Sequence, residues 1–447
     1  MNNVKEVIIM KGFSLALIAC LLLILVAVPA CVPGAEEAKV IKIGVIGPMQ
    51  FVQGEHHWYG ATMARDEINA AGGVSLAGVN YPIELIRTDS NEILNPADAA
   101  AAMERLITVD KADFAVGGFR TEGVFPMQDV AMDYKTIFLG CGAGTKELCT
   151  RVAEDYDRYK YWFRVTPFNN EYLASNSLMT LGLAGGIMQM GLGIEETLQV
   201  AIVAEEATWA DAMVAAYQAY VPEKLGMEVI GVWRPSATAT DLTAELTAIE
   251  DSGAHLILTI ISGPLGIPYA KQLGELEIPV ASVGINVEAQ KDGFWDATEG
   301  YGNYETTLNS YAKGVAITER TIPFVDAFIA KVGETPTYNA DTYSAIYILK
   351  EAIERAGTLD SDAVVTELEK TDFLGTQGRV VFMGRDTETP HDVTYGPGYV
   401  TGIATQWQDG EMKCVWPMLM PGDWEGLMYE GTVFWQIPPP VMERFAS

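Results

Sequence analysis

The amino-acid sequence predicts an α/β protein built on parallel sheets, and three observations support that prediction. Short runs of β-branched residues alternate along the chain with longer segments whose apolar residues recur at helical spacing. This alternation is typical of parallel strands joined by crossover helices. The chain has 447 residues, which is too long for one ordinary domain, so we expect two. Its 49% hydrophobic and 20% charged residues are typical of a well-packed protein.

The first series of elements begins with a run of β-branched residues, which predicts a buried strand. A polar loop separates this strand from a helix that ends at Gly72-Gly73, as helices often do. A later helix opens with Asn95 as its cap and Pro96 in its first turn. The predicted elements are a strand at 40–46, a loop at 50–57, a helix at 59–71, a strand at 81–87, a helix at 95–107, and strands at 114–116 and 137–139.

A second series of the same kind restarts near residue 163. Two successive α/β series suggest two similar lobes. The predicted elements of this series are a strand at 163–165, a helix at 172–185, a strand at 199–204, a helix at 209–220, a strand at 229–232, a helix at 240–252, and strands at 256–261 and 280–283.

Charge and motif content exclude several classes of function. The 59 acidic and 29 basic residues give a net charge of −30, whereas a nucleic-acid-binding protein is usually basic. The sequence has four histidines and neither a Gly-x-Ser-x-Gly elbow nor a phosphate-binding P-loop, so we predict no enzyme. Residues 44–48 lack the spacing of a dinucleotide-binding loop, and Pro48 removes an amide that such a loop needs. We predict no cofactor.

The N-terminus predicts export. Residues 13–30 form one uncharged apolar run, preceded by Lys11 and ended by Cys31. Residues 28–31 resemble a lipobox, from which Pro29 departs, so one interpretation is a signal peptide at 1–30, a lipid-modified Cys31 and a polar tether at 31–39. The alternative is an uncleaved anchor helix, since about 20 apolar residues span a membrane. Both interpretations place the rest of the chain outside the cytoplasm.

The cysteines and histidines leave one question open and argue against a metal. Cys141 and Cys149 lie eight positions apart and would form either a disulfide, which an exported protein permits, or two buried free thiols. Neither a Cys-x-x-Cys motif nor a histidine pattern indicates zinc. The adjacent His56 and His57 point in different directions on most backbones, so we predict no metal site there.

Three stretches together resemble the branched-chain amino acid-type (Leu/Ile/Val-binding) solute-binding proteins of ABC transporters, which have the type I periplasmic binding fold. These stretches are 40–74, 340–357 and 391–399. The resemblance implies two Rossmann-like lobes with parallel central sheets, joined by three hinge crossings near Val165, Thr306 and Gly375. Lobe 1 would comprise 40–164 and 307–374, and lobe 2 would comprise 165–306 and 375–447.

The resemblance also implies a function. Such a protein, periplasmic or held at the cell surface by its lipid, would capture a small carboxylate, amide or amino acid and deliver it to an ABC transporter permease. The alternative is a ligand-sensing receptor of the same fold without a transport role. The predicted export and lipid tether favour transport.

In open α/β sheets, ligands bind beyond the carboxyl ends of the strands. In lobe 1 this rule selects the loop with Phe119, Arg120 and Thr121. The resemblance implies that Thr121 holds the ligand carboxylate; Arg120 would add a bidentate contact or pair with an acid such as Glu122. The loop after residue 139 is implied to contact a ligand amine. Its candidates are Ala143, Gly144 and Thr145.

The remaining candidates come from the opening segment and from lobe 2. Trp58 would either wall the pocket or pack in the core. Trp209 stands where the family carries an aromatic that covers the ligand, and Gly263 would approach the ligand through its backbone. Asn286 falls where amino-acid-binding members place an acid that pairs with the α-amino group. An asparagine cannot supply that charge, which argues against a zwitterionic ligand. Gln53 and Trp58, together with Asn286 and Trp209, point to a bulkier or less cationic ligand.

Overall fold

The computed structural model describes residues 40–417 and 428–446, and its strands form two central sheets. The predicted signal peptide, the tether and Cys31 lie outside the described residues. The strands of the first sheet are β1 (Ile41–Gly47), β4 (Ile83–Asp89), β5 (Phe114–Gly117), β6 (Phe138–Gly140) and β7 (Trp162–Arg164). Those of the second are β8 (Gln199–Ala204), β9 (Glu228–Trp233), β10 (Leu256–Ile261), β11 (Ala281–Asn286), β12 (Thr306–Asn309), β15 (Ile403–Gln408) and β16 (Glu411–Trp416).

All strands of the first sheet run parallel, in the order β4-β1-β5-β6-β7. The second sheet has the order β16-β15-β12-β11-β10-β8-β9, and only β15 and β16 join it antiparallel. The predicted α/β fold with parallel central sheets is therefore confirmed. Two short antiparallel hairpins complete the strands: β2 (Val74–Leu76) with β3 (Val79–Tyr81), and β13 (Asp372–Leu374) with β14 (Arg379–Val381).

Helices connect the strands and bury their apolar sides against both sheets. Several end at a glycine in the left-handed conformation, such as Gly357 at φ 65°, which a glycine adopts without steric cost. The helices are α1 (Val52–Ala70), α2 (Asp98–Thr108), α3 (Thr121–Asp133), α4 (Glu147–Glu154), α5 (Tyr156–Tyr159), α6 (Asn170–Leu192), α7 (Thr208–Leu225), α8 (Thr243–Asp251), α9 (Gly266–Glu275), α10 (Phe294–Ala297), α11 (Thr321–Val332), α12 (Thr342–Ala356), α13 (Ser361–Leu368) and α14 (Pro439–Arg444). Within the described residues no helix has the length and apolar character that a membrane crossing requires.

The polar loop predicted at 50–57 is wrong, because α1 already begins at Val52. Gln50 and Glu55 of this segment are exposed, but His56 and His57 are buried against distant segments. His56 Nδ1 accepts from the Thr337 amide at 2.9 Å, and Nε2 lies 3.1 Å from Glu334 Oε1. His57 Nε2 lies 3.1 Å from the Cys141 carbonyl oxygen, and burial lowers the pKa of His57 to about 4. The two rings thus bond to different parts of the chain.

The lobe boundaries remain a prediction, and the structure suggests a shift in two of them. The strand β12 (Thr306–Asn309), at the predicted crossing near Thr306, lies wholly in the second sheet. Side chains after the predicted crossing at Gly375 still belong to the core of the first sheet, among them Phe382, Val393 and Val400. The chain then enters β15 of the second sheet at Ile403. For the third crossing we therefore propose a position near Gly402.

Candidate functional site

A cavity lies where loops at the carboxyl ends of strands from both sheets face each other. The space between its lining atoms is about 660 Å³, a figure that includes the part open to solvent. The first sheet contributes the loops after β5, β6 and β7, and the second those after β10, β11 and β12. The lining residues are Phe119, Arg120, Thr121, Gly142, Gly144, Pro167, Phe168, Leu173, Trp209, Ser262, Ile285, Val287, Gln290, Leu308, Asn309, Ser310 and Tyr338.

Most of this lining is apolar or aromatic. Phe119, Phe168, Trp209 and Tyr338 supply four aromatic rings, and aliphatic side chains from β11 and β12 add to the wall. Aromatic walls bury much apolar area with few rotatable bonds. The cavity therefore suits a ligand with a compact apolar group.

An ion pair crosses from the first sheet's loop to the second sheet's loop at the edge of this cavity. Arg120 Nη2 lies 3.2 Å from Glu205 Oε1, and Nη2 also donates to Ser262 Oγ at 3.2 Å. The Glu205 side chain is completely buried, and that of Arg120 is 10% exposed. Of the two alternatives for Arg120, the structure shows pairing with an acid, and that acid is Glu205.

Glu205 is held by four further donors from the second sheet's side. Trp209 Nε1 donates to it at 2.8 Å, the Ser262 and Gly263 amides at 3.0 and 2.8 Å, and the Ser262 hydroxyl also donates. A Cβ at Gly263 would lie 3.1 Å from both Arg120 Nη2 and Glu205 Oε2, so a glycine here lets the loop approach the pair closely. Hydrogen bonds from five groups offset the cost of burying this carboxylate.

A second buried acid holds the loop before α3. The Glu92 carboxylate accepts from the amides of Phe119 and Arg120 and from the Ser90 hydroxyl, at 2.8–3.2 Å. Burial raises the pKa of Glu92 to about 7, although these hydrogen bonds act in the opposite direction. The carboxylate thus accepts hydrogen bonds from two amides of the loop that follows β5.

Three polar atoms of the lining are buried without a hydrogen-bond partner among the described residues. They are Arg120 Nε, Thr121 Oγ1 and Gln290 Oε1. Gln290 fixes its orientation through Nε2, which donates to the Leu308 carbonyl at 2.8 Å. A buried polar group without a partner costs free energy, and a ligand with polar atoms would supply partners for these three.

The loop after β6 uses its carbonyls for a different purpose. The Ala143 and Thr145 carbonyls both accept from the buried Arg164 guanidinium, whose Nε donates to Asp392 Oδ1 at 2.9 Å. Arg164 and Asp392 are both fully buried. This loop is therefore tied into the core of the first sheet.

The structure brings five of the ten candidate residues together around the cavity and leaves the other five out of its lining. Phe119, Arg120, Thr121, Gly144 and Trp209 line it. The residues outside the lining are Trp58, Ala143, Thr145, Gly263 and Asn286. Of these, Gly263 still touches the site, because its amide bonds Glu205.

The other four residues outside the lining have partners elsewhere. Trp58 packs against the core of the first sheet, as one of its two interpretations proposed. Ala143 and Thr145 face Arg164 through their carbonyls. Asn286 is buried with Nδ2 donating at 3.1 Å to Glu305 Oε1 and to the Gly266 carbonyl, so it does not face the cavity.

Sequence reasoning missed Glu205, Gln290 and Tyr338. Glu205 directly follows β8, so its position at a strand end was a usable signal, but its partner Arg120 is 85 positions away in the chain. Tyr338 comes from a 3₁₀ turn, Tyr338–Asp341, far from any predicted strand end.

The cysteine alternatives are decided by the side-chain partners. Cys141 and Cys149 are buried free thiols, which corrects the disulfide expectation. Cys141 Sγ faces the Leu139 carbonyl at 3.6 Å, whereas Cys149 Sγ lies 3.8 Å from Arg164 Nη2. The two sulfurs therefore contact different groups.

Comparisons with known proteins agree with this architecture. A family model described as periplasmic binding protein matches residues 40–396. The chain is 22% identical over 409 residues to Leu/Ile/Val-binding protein homolog 7 of Brucella abortus (strain 2308), which covers 88% of this chain and 96% of that protein. The structure is similar to that of the branched-chain amino acid transporter substrate binding protein LivJ of Streptococcus pneumoniae in complex with isoleucine, with TM-score 0.68, 20% identity, and coverage of 84% and 98%. It is also similar to an ABC transporter solute binding protein of R. palustris in complex with benzoate, with TM-score 0.66, 15% identity, and coverage of 88% and 99%.

Proposed function

The chain belongs to the periplasmic binding protein family, and on that premise we propose that it is an extracytoplasmic solute-binding protein of an ABC importer. It captures a small carboxylate, amide or amino acid between two closing lobes and delivers it to the permease. One observation carries the proposal: Arg120 Nε, Thr121 Oγ1 and Gln290 Oε1 are buried in an aromatic cavity without partners among the described residues. A small ligand with polar atoms would complete all three.

Contacts between the facing loops support closure around that ligand. Besides the Arg120–Glu205 pair, Glu122 Oε1 accepts from the Thr208 amide at 2.7 Å, so α3 of the first sheet and α7 of the second bond at their N-terminal ends. The first contact lies at the edge of the cavity, and the second joins residues that directly adjoin Thr121 and Trp209 of the lining. Neither contact lies in the predicted hinge segments. Lobe opening about the three crossings would break them and admit the ligand, as in hinged binding proteins.

The tether at 31–39 would hold the binding protein beside its permease. We propose lipid attachment at Cys31, with removal of residues 1–30. Mass spectrometry of the purified chain should find an N-terminal peptide that begins at Cys31 and carries acyl mass, and Cys31→Ser should release the protein from membranes. An unmodified peptide that still contains residues 13–30 would favour the anchor helix instead.

A ligand screen tests the binding role itself. We expect the purified chain to gain thermal stability, and its tryptophan fluorescence to change, with at least one member of a broad library of small carboxylates, amides and amino acids. Trp209 lines the cavity and would report the ligand directly. A library without any effect on a folded protein would contradict the proposed function.

A further inference from the structure

We propose that the Arg120–Glu205 pair makes this cavity selective for an uncharged amide with an aromatic or branched apolar group, over the matching carboxylate or amine. This inference rests on the proposed ligand-binding function and narrows it to one chemical class. It also assigns a role to Glu205, which would determine ligand specificity through its ion pair with Arg120.

The charges of Arg120 and Glu205 at the cavity balance each other. Arg120 is the one residue with a formal charge among the described residues that line the cavity. Its charge is balanced by Glu205, whose contacts in the described chain all come from donors: the guanidinium, an indole, a hydroxyl and two amides. A carboxylate that only accepts hydrogen bonds carries its negative charge. The pair is therefore neutral as a whole.

An anionic ligand would be disfavoured in this cavity. A ligand carboxylate would add a negative charge to a balanced, largely apolar cavity, close to Glu205. Charges removed from water without an opposite partner are costly, and like charges at short range repel. Glu92 adds to this effect, because it already occupies the amides of Phe119 and Arg120 that an anionic ligand would otherwise use.

The described lining offers an ammonium group no oppositely charged partner. The described lining contains no acid, and Asn286, at the position where the family resemblance implies one, points away towards Glu305. The carbonyls of Ala143 and Thr145 accept from Arg164 instead of facing the cavity. An α-ammonium group would therefore be buried without an opposite charge, even where Gln290 Oε1 accepts one of its hydrogen bonds.

The donors and acceptor of the lining that lack partners in the described chain match a primary amide. Arg120 Nε–H can only donate, and Thr121 Oγ–H can donate as well. Gln290 Oε1 can only accept, since its own amide nitrogen is committed to Leu308. A primary amide offers a carbonyl for the first two and an N–H for the third. A carboxylate offers no hydrogen to Gln290.

Calorimetric titration of the full chain in detergent at pH 8 tests the inference with matched pairs: benzamide and benzoate, isovaleramide and isovalerate, with phenylalanine and leucine as zwitterions. We expect at least one amide to bind at least tenfold tighter than its carboxylate and than either amino acid. Tighter binding of a carboxylate or an amino acid would overturn the inference and leave the proposed function intact. If none of the six compounds binds, the inference is overturned. The proposed function is overturned only if the broad metabolite library also has no effect on the folded protein.

Glu205→Gln tests the mechanism of selection. The variant removes the balancing charge at nearly the same shape, so the benzoate-to-benzamide affinity ratio should rise at least tenfold. The matched control is Glu305→Gln, another buried acid of the second lobe that lies outside the cavity lining; its ratio should match the wild type. An unchanged ratio in folded Glu205→Gln would overturn the role of Glu205. If that variant does not fold, the wild-type pairs still decide the ligand class.

Discussion

Two buried arginines in the loops of the first sheet show how a structural site differs from a binding site. Arg164, at the end of β7, is fully enclosed and donates to Asp392 and to two carbonyls. Arg120, after β5, has an acid partner as well, but its Nε lacks one and it borders a cavity. The two sites have the same residue type and similar burial. They differ in whether each guanidinium nitrogen has a partner: all three do in Arg164, whereas Arg120 Nε has none among the described residues.

This difference predicts opposite consequences of mutation. Loss of a fully satisfied arginine should affect stability above all, and loss of a partly satisfied one should affect ligand binding above all. The expected effects below run from the largest to the smallest.

Arg164→Met should cause the largest loss of stability. It leaves Asp392 buried without its charged partner and leaves the Ala143 and Thr145 carbonyls without their donor. Breaking a buried pair from one side costs about 3–5 kcal/mol. Urea unfolding should show this loss in the free energy of unfolding. A loss below about 1 kcal/mol would mean that the buried network is dispensable.

Arg120→Met should reduce stability less than Arg164→Met does, and it should weaken ligand binding more. Glu205 keeps four donors in this variant, so we expect a loss of about 1–3 kcal/mol in urea unfolding. Titration of the folded variant with the tightest ligand of the panel should show at least tenfold weaker binding. Equal affinity in wild type and variant would remove Arg120 from the ligand site.

The pH dependence of stability tests Glu92. Because its pKa is about 7 in the folded protein and near 4.5 in the unfolded chain, the folded state binds the proton more tightly. The contribution of Glu92 is therefore complete below about pH 4.5 and is lost as the pH rises through 7. Glu305 and Asp341 share this direction, since burial also raises their pKa to about 7.

The contribution of Glu92 alone is measured by difference. The melting temperature of wild type minus that of Glu92→Gln should fall as the pH rises from 5 to 8. A difference that is constant over this range would contradict the raised pKa of Glu92.

Thr121→Val should have the smallest effect on stability. The Thr121 hydroxyl has no partner among the described residues, so its removal should change the free energy of unfolding by less than about 0.5 kcal/mol. Ligand affinity should nevertheless fall several-fold in calorimetry. Thr371→Val, which removes another buried hydroxyl without a partner among the described residues but outside the lining, is the control and should leave affinity unchanged.

Much of the fold followed from local sequence. Buried parallel strands such as β1 and β10 are rich in β-branched residues. The ends of the strands predicted at 114–116, 137–139 and 256–261 located three of the loops that line the cavity. The start of α1 and the strands β12, β15 and β16 did not follow, because their polar residues are buried by distant partners. Gln406, for example, donates to the carbonyl of Gln436 in the C-terminal segment.

The sequence predicted where several site residues lie, but it did not predict their hydrogen-bond partners. Position at a strand end found Arg120, Thr121 and Trp209. Whether Arg120 is free for a ligand depends on Glu205, and whether the carbonyls of the β6 loop are free depends on Arg164. These contacts join residues far apart in the chain, and local pattern carries no information about them.

The most direct test of the central claim is a crystal structure of the chain with the tightest-binding member of the six-compound panel. We predict that the ligand lies in the cavity between Phe119 and Trp209, with an oxygen at Arg120 Nε and Thr121 Oγ1 and a donor at Gln290 Oε1, while Arg120 stays paired with Glu205. A ligand bound elsewhere, or one whose carboxylate displaces Glu205 from Arg120, would contradict the account.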